Sequence, residues 1–355
     1  MNRMSNFIVV TVLIFISATC NNNTSEEDDQ FSGSEYYNPV IAHNCADPSI
    51  IDDRARTGYF YAYSTQNGTS GASNCVYLPV YRSKDLITWE HLTDAFGPGR
   101  PQWRQGSRMW APDINYINGK YVLYYAAGLW DESQWSASGV AVSDSPTGPF
   151  KDLGMIVGYE NTGVRNSIDP FFIDTGNAKY LFWGSFGTDS GIWAIELTDD
   201  GLAIKPSAVK TCIGTTNMEG TYVHKRPDGY YYIFTSKGSC CSGKESTYHV
   251  VVARSKDILG PYVSPSGEKL TDSGYSYTIL HSTVDGLFIG TGHNAEIITD
   301  DSGQDWMPYH TFWSKNNYSG RCMNIDKVFW DKDGWPYFIG KIPSISGEGP
   351  KWKKY

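Results

Sequence analysis

Two distant stretches of the chain carry the same arrangement of groups: NCADPSIID at 44–52 and NSIDPFFID at 166–174. Each sets an Asn and then Asp-Pro at the head of an apolar run that ends in another Asp. Asp-Pro is common in turns, and proline suits the first residue of a strand, where no ladder donor is needed. Two copies in the same context point further, to a repeated structural unit. WAPDINYI, MEGTYV and GHNAEI extend the series, so the candidate heads are Asp47, Asp113, Asp169, Glu219 and His293. Four carboxylates and an imidazole at matched positions are not what packing selects. Carboxylates held close together shift one another's pKa and separate a protonated acid from an ionised base. Hydrolysis of a glycosidic bond uses such a pair: one carboxyl protonates the leaving oxygen while another activates water or attacks the anomeric carbon. Taken singly, each residue has a plain structural reading, and a lone histidine is more often a satisfied structural group than a ligand. The shared register carries the inference.

The elements that must position these heads are short strands. Beyond residue 45 no convincing amphipathic helix is present, and the recurring pattern is an aromatic or β-branched run, a Gly/Asp/Asn turn and a second run. YINGKYVLYYAAG has Asn-Gly between two such runs, a strong hairpin signal. KRPDGYYYIFTSKG and WDKDGWPYFIG use Asp-Gly, while DDRARTGYFYAYST and DTGNAKYLFWGSF are looser versions. A second hairpin follows in VYRSKDLITWEHL (80–92), VAVSDSPTGPFKDLG (140–154) and VVARSKDILGPYVS (251–264), with IWAIELTDDGLAI (192–204) a weaker relative. The unit is thus four strands, the anatomy of a propeller blade. Five units at uneven spacing predict an all-β, five-bladed β-propeller with a central channel and four antiparallel strands per blade. In such a fold the inner strands run the same way, so their first residues meet at one mouth.

The 355 residues can bury a sizeable core; they carry 25 Tyr and 12 Trp, which favour strands and suit stacking on sugar rings. A formal net charge of −9 and the lack of a Lys/Arg-rich run argue against nucleic acid as a partner. Residues 1–19 read as a signal peptide: Arg3 precedes a nearly unbroken apolar run that is too short to span a bilayer. The run ends at SATC, which resembles a bacterial lipoprotein signal with Cys20 as the lipidated terminus, although Thr19 departs from the small residue usual there. An acidic, flexible linker is expected over 20–37, the propeller over 38–345 and a short basic, solvated tail over 346–355. The expected location is outside the cytoplasm, in the periplasm or at the cell surface, with a membrane reached only through the lipid on Cys20. Cys45, Cys75, Cys212, Cys240, Cys241 and Cys322 remain, an even number in an exported chain, so disulfides are open. Adjacent Cys240 and Cys241 bridge each other, find separate partners or stay as thiols; none has zinc-site spacing.

CADPSI, WAPDINYINGKYVLYY, SIDPFFID, MEGTYVHKRPDGYYYIFTSKGSCCSG and GTGHNAEI together resemble glycoside hydrolase family 43 from about residue 38 to 341. The resemblance implies a five-bladed propeller that hydrolyses arabinan, xylan or related side chains with inversion. It makes Asp47 the general base, Glu219 the general acid and Asp169 the group that raises the pKa of Glu219 and orients it. It places Arg321 against the bound sugar beside the scissile bond, Trp110 as a stacking platform and Asn166 as a further substrate contact; Asp113 receives an orienting role. His293 matches a histidine that holds a calcium, or sometimes sodium, ion mostly through water. One imidazole among hard oxygen ligands is unusual for calcium. No organic cofactor is implied.

GSCCSG…STYHVVVARSKDILGPY, GIWAIELTDDG and YLFWGSF are most similar to the endo-1,5-α-L-arabinanase branch, which cuts α-1,5-arabinan within the chain along an open groove. At the acid, that branch usually reads Glu-Ala-Pro, where this chain has Glu219-Gly220-Thr221. The stretches 65–75 and 97–108 also bear on the groove. An exo-acting α-L-arabinofuranosidase or β-xylosidase is the alternative within the family, and a non-catalytic surface glycan-binding propeller is the alternative from another class. A retaining fructosidase of the sister propeller families fits less well, because Glu219-Gly220 and Ile168-Asp169-Pro170 replace the Glu-Cys and Arg-Asp-Pro usual there. The expected partner is arabinan or a related plant cell-wall polysaccharide, bound by a monomer.

Overall fold

Four four-stranded antiparallel sheets and a fifth of five strands, its inner edge split in two, are arranged as the blades of a propeller, with two two-stranded pairs beside them. This is a computed structural model that describes residues 31–68, 75–104, 106–129 and 135–353. The stretch expected to be a signal peptide, Cys20 and most of the expected acidic linker lie outside the described residues. No helix among the described residues is long and apolar enough to cross a membrane.

Each blade begins with the strand nearest the axis. Blade one comprises Ser49–Asp52, Phe60–Tyr63, Pro79–Ser83 and Trp89–Asp94; blade two comprises Arg108–Ile117, Lys120–Gly128, Ala137–Ser143 and Lys151–Val157. Blade three is Ser167–Asp174, Lys179–Ser185, Gly191–Leu197 and Thr211–Gly214; blade four is Met218–Lys225, Tyr231–Lys237, His249–Ser255 and Thr278–Leu280. In blade five the inner edge is split into Phe288–Gly292 and Ile298–Thr299, both lying along Asp305–Trp313, with Arg321–Trp330 and Pro336–Tyr337 outside.

The first hairpins follow the turn chemistry. Asn118 and Gly119 both take positive φ (49° and 84°) and connect Ile117 directly to its partner Lys120, the two-residue geometry that an Asn-Gly pair favours. The second hairpins depart from expectation in two blades. In 192–204 the return makes one bridge, Leu197 to Ile204, and in 251–264 one bridge, Arg254 to Val263. The outer strands are instead Thr211–Gly214 and Thr278–Leu280. In blade four the physical reason is local: Val263 turns away to pair with Lys269, leaving the edge of His249–Ser255 open for a later segment.

Aromatic and branched side chains fill every gap between neighbouring blades. Tyr63, Val80, Leu123 and Tyr125 pack between blades one and two, Tyr124, Phe172, Leu181 and Trp183 between two and three. Phe171, Phe234, Val250 and Met307 continue the layer through blades three to five, and Phe60, Ile298 and Met323 join five back to one. Full burial of each such side chain is worth about 1.5–3 kcal/mol, so the inner strands are held by their outer neighbours.

Segments near both ends of the described residues belong to the fold. Glu35–Tyr37, assigned above to the linker, pairs with Ser346–Glu348, assigned to the solvated tail. Tyr36 is buried edge-on against Trp306. Asn38 donates to the Ile325 carbonyl and accepts from its amide, both at 2.9 Å, standing in for a strand partner beside blade five. Trp352 is buried 5.0 Å from Phe60 and donates to the Asp85 carbonyl. The tail was expected to be solvated because of its lysines; its tryptophan and backbone close the ring instead.

Candidate active site

In all five blades the inner strand slips by one residue near the same end. Trp110 faces Ala126 but Asp113 faces Tyr124; Ile168 faces Gly184 but Phe171 faces Phe182; Glu219 faces Ser236 but Tyr222 faces Phe234. Blade one repeats this between the Thr65-to-Ala46 hydrogen bond and the Ser49–Tyr63 pair, blade five between the Gly292–His310 pair and the Ala295-to-Pro308 hydrogen bond. Such bulges re-aim side chains. The first extra residue always has positive φ: Asp47 51°, Ala111 39°, Asp169 54°, Gly220 62° and His293 44°. Outside glycine that region is strained, so four non-glycine instances at one register position, with Gly220 as the fifth, mark a built feature.

The register corrects the ring read from sequence. Its members are Asp47, Ala111, Asp169, Gly220 and His293; Glu219 stands one residue before the ring and Asp113 two after it. Aligning by acidic type rather than by pairing caused the shift. In blade two an alanine holds the bulge, so Asp113 falls deeper along the channel. There it accepts from the Phe172 amide at 2.9 Å and from Asn115 at 2.7 Å, tying blade two to blade three. Glu296 does the same between blades five and one, accepting from Ser49 Oγ at 2.7 Å and the Ile50 amide at 2.5 Å. Burial and mutual proximity push Asp113 well above the usual carboxylate range, and burial pushes Glu296 up to about 7.

Gly220 also explains the departure at the acid. A Cβ there would meet His293 Cγ and Nδ1 at 3.0 Å. The alanine usual in the related branch is accommodated at the equivalent Ala111, but blade four brings this backbone against an imidazole.

Asp47 is buried at the mouth. Arg321 Nη1 donates to Oδ1 at 2.6 Å, His293 Nδ1 lies 3.2 Å from the same oxygen, and Thr65 Oγ1 donates to Oδ2 at 2.6 Å. Thr65 is itself fixed by the Ala111 amide at 2.8 Å, and the Asp47 amide donates to His310 Nδ1 at 3.2 Å. Burial alone would raise this carboxyl, but the Arg321 guanidinium, with His293, holds it well below its ordinary value. His310 is fully buried, which pushes it down to about 4 and keeps it neutral, as an acceptor of that amide must be. Asp47 is therefore an ionised acceptor.

Glu219 has the opposite setting. Burial, then the Asp169 charge, push it up to about 7, while Tyr248 Oη donates to Oε1 at 3.0 Å. Asp169 accepts from the Gly220 amide at 3.0 Å, which fixes the backbone beside the acid. Its own pKa is raised by burial, partly offset by His293 3.8 Å away. For His293, burial is outweighed by the charges of Asp47 and Asp169, so its pKa is raised and the cation is favoured. Gly184 permits the approach of blade three, since a Cβ there would lie 3.3 Å from Glu219 Cα and Cβ. The arrangement predicts the outcome of Asp169→Asn: with one neighbouring negative charge gone, the proton on Glu219 is released at lower pH. The basic limb of a pH–kcat/KM profile should move down by about one unit; an unmoved limb would remove Asp169 as its tuner.

These groups line one open cavity of about 490 Å³, with Asp47, Asp169, Glu219, His293, Arg321 and Trp110 in its wall. A second cavity of about 430 Å³ shares Glu219 in its wall and is lined by Phe186, Asn217, Lys237 and His249. Asn166 is elsewhere. It is buried, its Oδ1 accepts from the Ser136 amide at 3.1 Å and its Nδ2 donates to the Phe186 carbonyl at 3.4 Å, so it shapes the loops behind the site. Thr65, Tyr248, His310 and Glu296 escaped the sequence reading. Tyr248 lay inside the quoted STYHV motif, but nothing in residue type or spacing paired it with Glu219. An ionised carboxylate and a protonated carboxyl in one cavity can take a proton from water and give one to a leaving group.

Comparison with known proteins points to one family. The chain is 30% identical over 304 residues to the extracellular exo-α-(1→5)-L-arabinofuranosidase ArbA of Cellvibrio japonicus, covering 78% of this chain and 82% of that one. It is 35% identical over 272 residues to the extracellular endo-α-(1→5)-L-arabinanase 1 of Bacillus subtilis, covering 74% and 80%. Among solved structures, the Cellvibrio cellulosa α-L-arabinanase complexed with arabinohexaose aligns with a TM-score of 0.70 at 27% identity, over 83% of this chain and 95% of that one. The family 43 endo-arabinanase of Bacillus licheniformis aligns at 0.68 with 29% identity, over 83% and 97%. The profile of the glycosyl hydrolases family 43 matches residues 36–336. With that profile spanning nearly the whole propeller, over the blades that carry Asp47, Asp169 and Glu219, the chain belongs to glycosyl hydrolase family 43.

Proposed function

We propose that the protein hydrolyses α-1,5-linked arabinan within the chain, with inversion. The supporting observation is the pairing of an ionised Asp47 with a Glu219 held protonated near neutral pH, at the junction of two cavities. Asp47 takes a proton from water as its oxygen bonds to the anomeric carbon. Glu219 gives its proton to the departing oxygen as the glycosidic bond breaks, and solvent exchange then resets both groups. A second cavity that shares Glu219 offers space for sugar beyond the Asp47 cavity, which favours internal cutting over release of single residues. Inversion predicts carboxyls roughly 6.5–9.5 Å apart, and NMR of the first product should show the β-anomer. Products from linear and branched arabinan, beside arabinoxylan, test the substrate and mode. Short oligomers early support endo cutting, monosaccharide alone would establish exo action, and preference for arabinoxylan would overturn arabinan.

The relatives named extracellular support export. Anchoring through Cys20 belongs to the same reading; a Cys20→Ser variant should leave the membrane fraction, and retention there would refute it.

A hydrated cation in the channel is also part of the proposal. With Nδ1 of His293 directed at Asp47 and Asp169, Nε2 is the nitrogen left for a metal, and an ion bound there would displace the proton that the neighbouring carboxylates otherwise favour. Next to it the channel is lined by Thr221, Asn294, Asp113 and Glu296, and Thr221 Oγ1 and Asn294 Oδ1 are buried without a protein partner. No group of three His, Cys, Asp or Glu side chains surrounds a common point among the described residues. The residues fit an ion held mainly through water, whose contribution would be a fixed positive charge beneath the mouth. A strong chelator should lower the melting temperature by several degrees and calcium should restore it; no response in either calcium- or sodium-free buffer would exclude the ion.

A further inference from the structure

Sugar rings have apolar C–H faces as well as hydroxyl edges, so a binding site needs an apolar wall opposite its donors and acceptors. The cavity described above is polar around most of its rim, through Asn44, Gln66, Asn67, Arg108 and the catalytic groups. Its apolar members on blades one to three offer little surface: Ala46 is 8% exposed, Trp110 7% and Ile168 3%. Trp110, expected to be the stacking platform, is sunk among Ala111, Ala126 and Ile168. From blades four and five the only apolar lining side chains among the described residues are Cys240 and Cys241, which are joined to each other as a disulfide. Cys240 is half-buried and Cys241 exposed.

A bridge between adjacent residues closes an eight-membered ring, which holds two sulfurs and two Cβ atoms together as one compact face with no strong donor or acceptor. The loop that carries it is pinned at its base. The Ser239 amide donates to Thr247 Oγ1 at 3.0 Å, Ser246 Oγ donates to the Ser239 carbonyl at 2.5 Å, and Gly238 (φ 94°) leaves no room for a Cβ beside the Thr247 carbonyl. Its two ends are also functional. The strand before it carries Ser236, whose Oγ accepts from the His293 amide, and the chain after it carries Tyr248, the donor to Glu219.

We infer that the Cys240–Cys241 disulfide is the apolar wall of a sugar subsite, packing against the C–H face of a pentose ring while Arg321 and the carboxylates serve its polar edge. The inference rests on the glycanase reading above. It makes the bridge a determinant of substrate binding, not of the chemical step.

Steady-state kinetics on linear arabino-oligosaccharides, and on xylo-oligosaccharides in parallel, test it in the full-length protein. Cys240→Ser/Cys241→Ser should raise KM by about three- to tenfold on whichever oligosaccharide the wild type cleaves, with the loss concentrated in KM and the basic limb of the pH profile unmoved. A phosphine reductant offers a second route that needs no substitution: phosphine and water convert the disulfide to two thiols and a phosphine oxide. It should reproduce the rise in wild type and have no effect on the double variant. An unchanged KM after both treatments, with the wild type active, overturns the wall and leaves the hydrolase reading standing. A fall in kcat with a displaced basic limb and constant KM also overturns it, since that would show the loop acting only through Tyr248. A wild type that neither cleaves nor retains any pentose oligosaccharide removes both readings together.

Discussion

Asp47→Asn should reduce turnover on arabinan by at least about 10³-fold while the protein remains folded. The substitution changes one oxygen for nitrogen in a side chain that accepts from Arg321, Thr65 and His293. Its amide oxygen can keep the Arg321 hydrogen bond, so the melting temperature should fall modestly. What it cannot do is take a proton from water. A second effect adds to the first: without the Asp47 charge the raised pKa of His293 loses its foremost support, and the Arg321 guanidinium then faces a neutral side chain. The wild-type profile should show the complementary feature. The Arg321 and His293 charges outweigh burial and hold Asp47 well below its ordinary value, so the acid limb of kcat/KM should lie below the usual carboxylate range. The same depression gives a stability sign: the folded Asp47 binds its proton less tightly than the unfolded one, so its contribution is present above the unfolded pKa and lost as pH falls through the folded value. Activity in the asparagine variant above about 1% of wild type, with circular dichroism unchanged, would assign the base elsewhere.

The route from sequence to that site was uneven. Blade hairpins were legible wherever a turn has its own chemistry, as at Asn118-Gly119 or Asp228-Gly229. Local φ preferences fix such turns without help from the rest of the chain. Thr211–Gly214 and Thr278–Leu280 were not, because their pairing is decided by which edge stands open after a nearer segment turns away. The ends of the chain were misread for a similar reason: Glu35–Tyr37 and Ser346–Glu348 look polar and become strands only through each other. At the site, Asp47 and Asp169 could be read directly, since Asp-Pro sits on the bulge itself. Glu219 and Asp113 were found as residues but misplaced by register, because in blades two and four the bulge is held by Ala111 and Gly220 and carries no acidic marker. His310, Thr65 and Tyr248 lie on second strands or loops and reach the mouth only when the blades close, so no spacing along the chain announces them. The Cys240–Cys241 bridge was open to three readings in the sequence. Only the position of its loop over the cavity gives it a role.

Glu219→Gln should separate binding from catalysis and test the acid by its dependence on the leaving group. Glutamine retains the shape and can still accept from Tyr248 Oη, but has no proton to give. On arabinan the departing group is a sugar alkoxide, which cannot leave unprotonated, so kcat should fall by about 10²–10⁴-fold. An aryl arabinofuranoside with an acidic phenol departs without help, and on it the loss should shrink to about tenfold or less. The basic limb expected near pH 7 in the wild type, from deprotonation of Glu219, should vanish. The sign follows from the shift: burial and the Asp169 charge keep this carboxyl protonated below about 7, so wild-type activity should decline above that pH about tenfold per unit. Stability has the same direction, because a carboxyl whose folded pKa is raised binds its proton more tightly in the folded state and loses that advantage as pH climbs from its unfolded value towards 7. The glutamine variant should therefore lose less stability than wild type over that interval. Affinity for arabino-oligosaccharides should remain within a few fold, and this comparison also decides against the glycan-binding alternative. A propeller that only holds glycan would bind equally in both forms and cleave in neither, whereas a hydrolase loses turnover selectively and most on the poorest leaving group. An equal loss on both substrates would show that Glu219 acts through charge or position, and the proton donor would then have to be sought among the remaining carboxyls at the mouth.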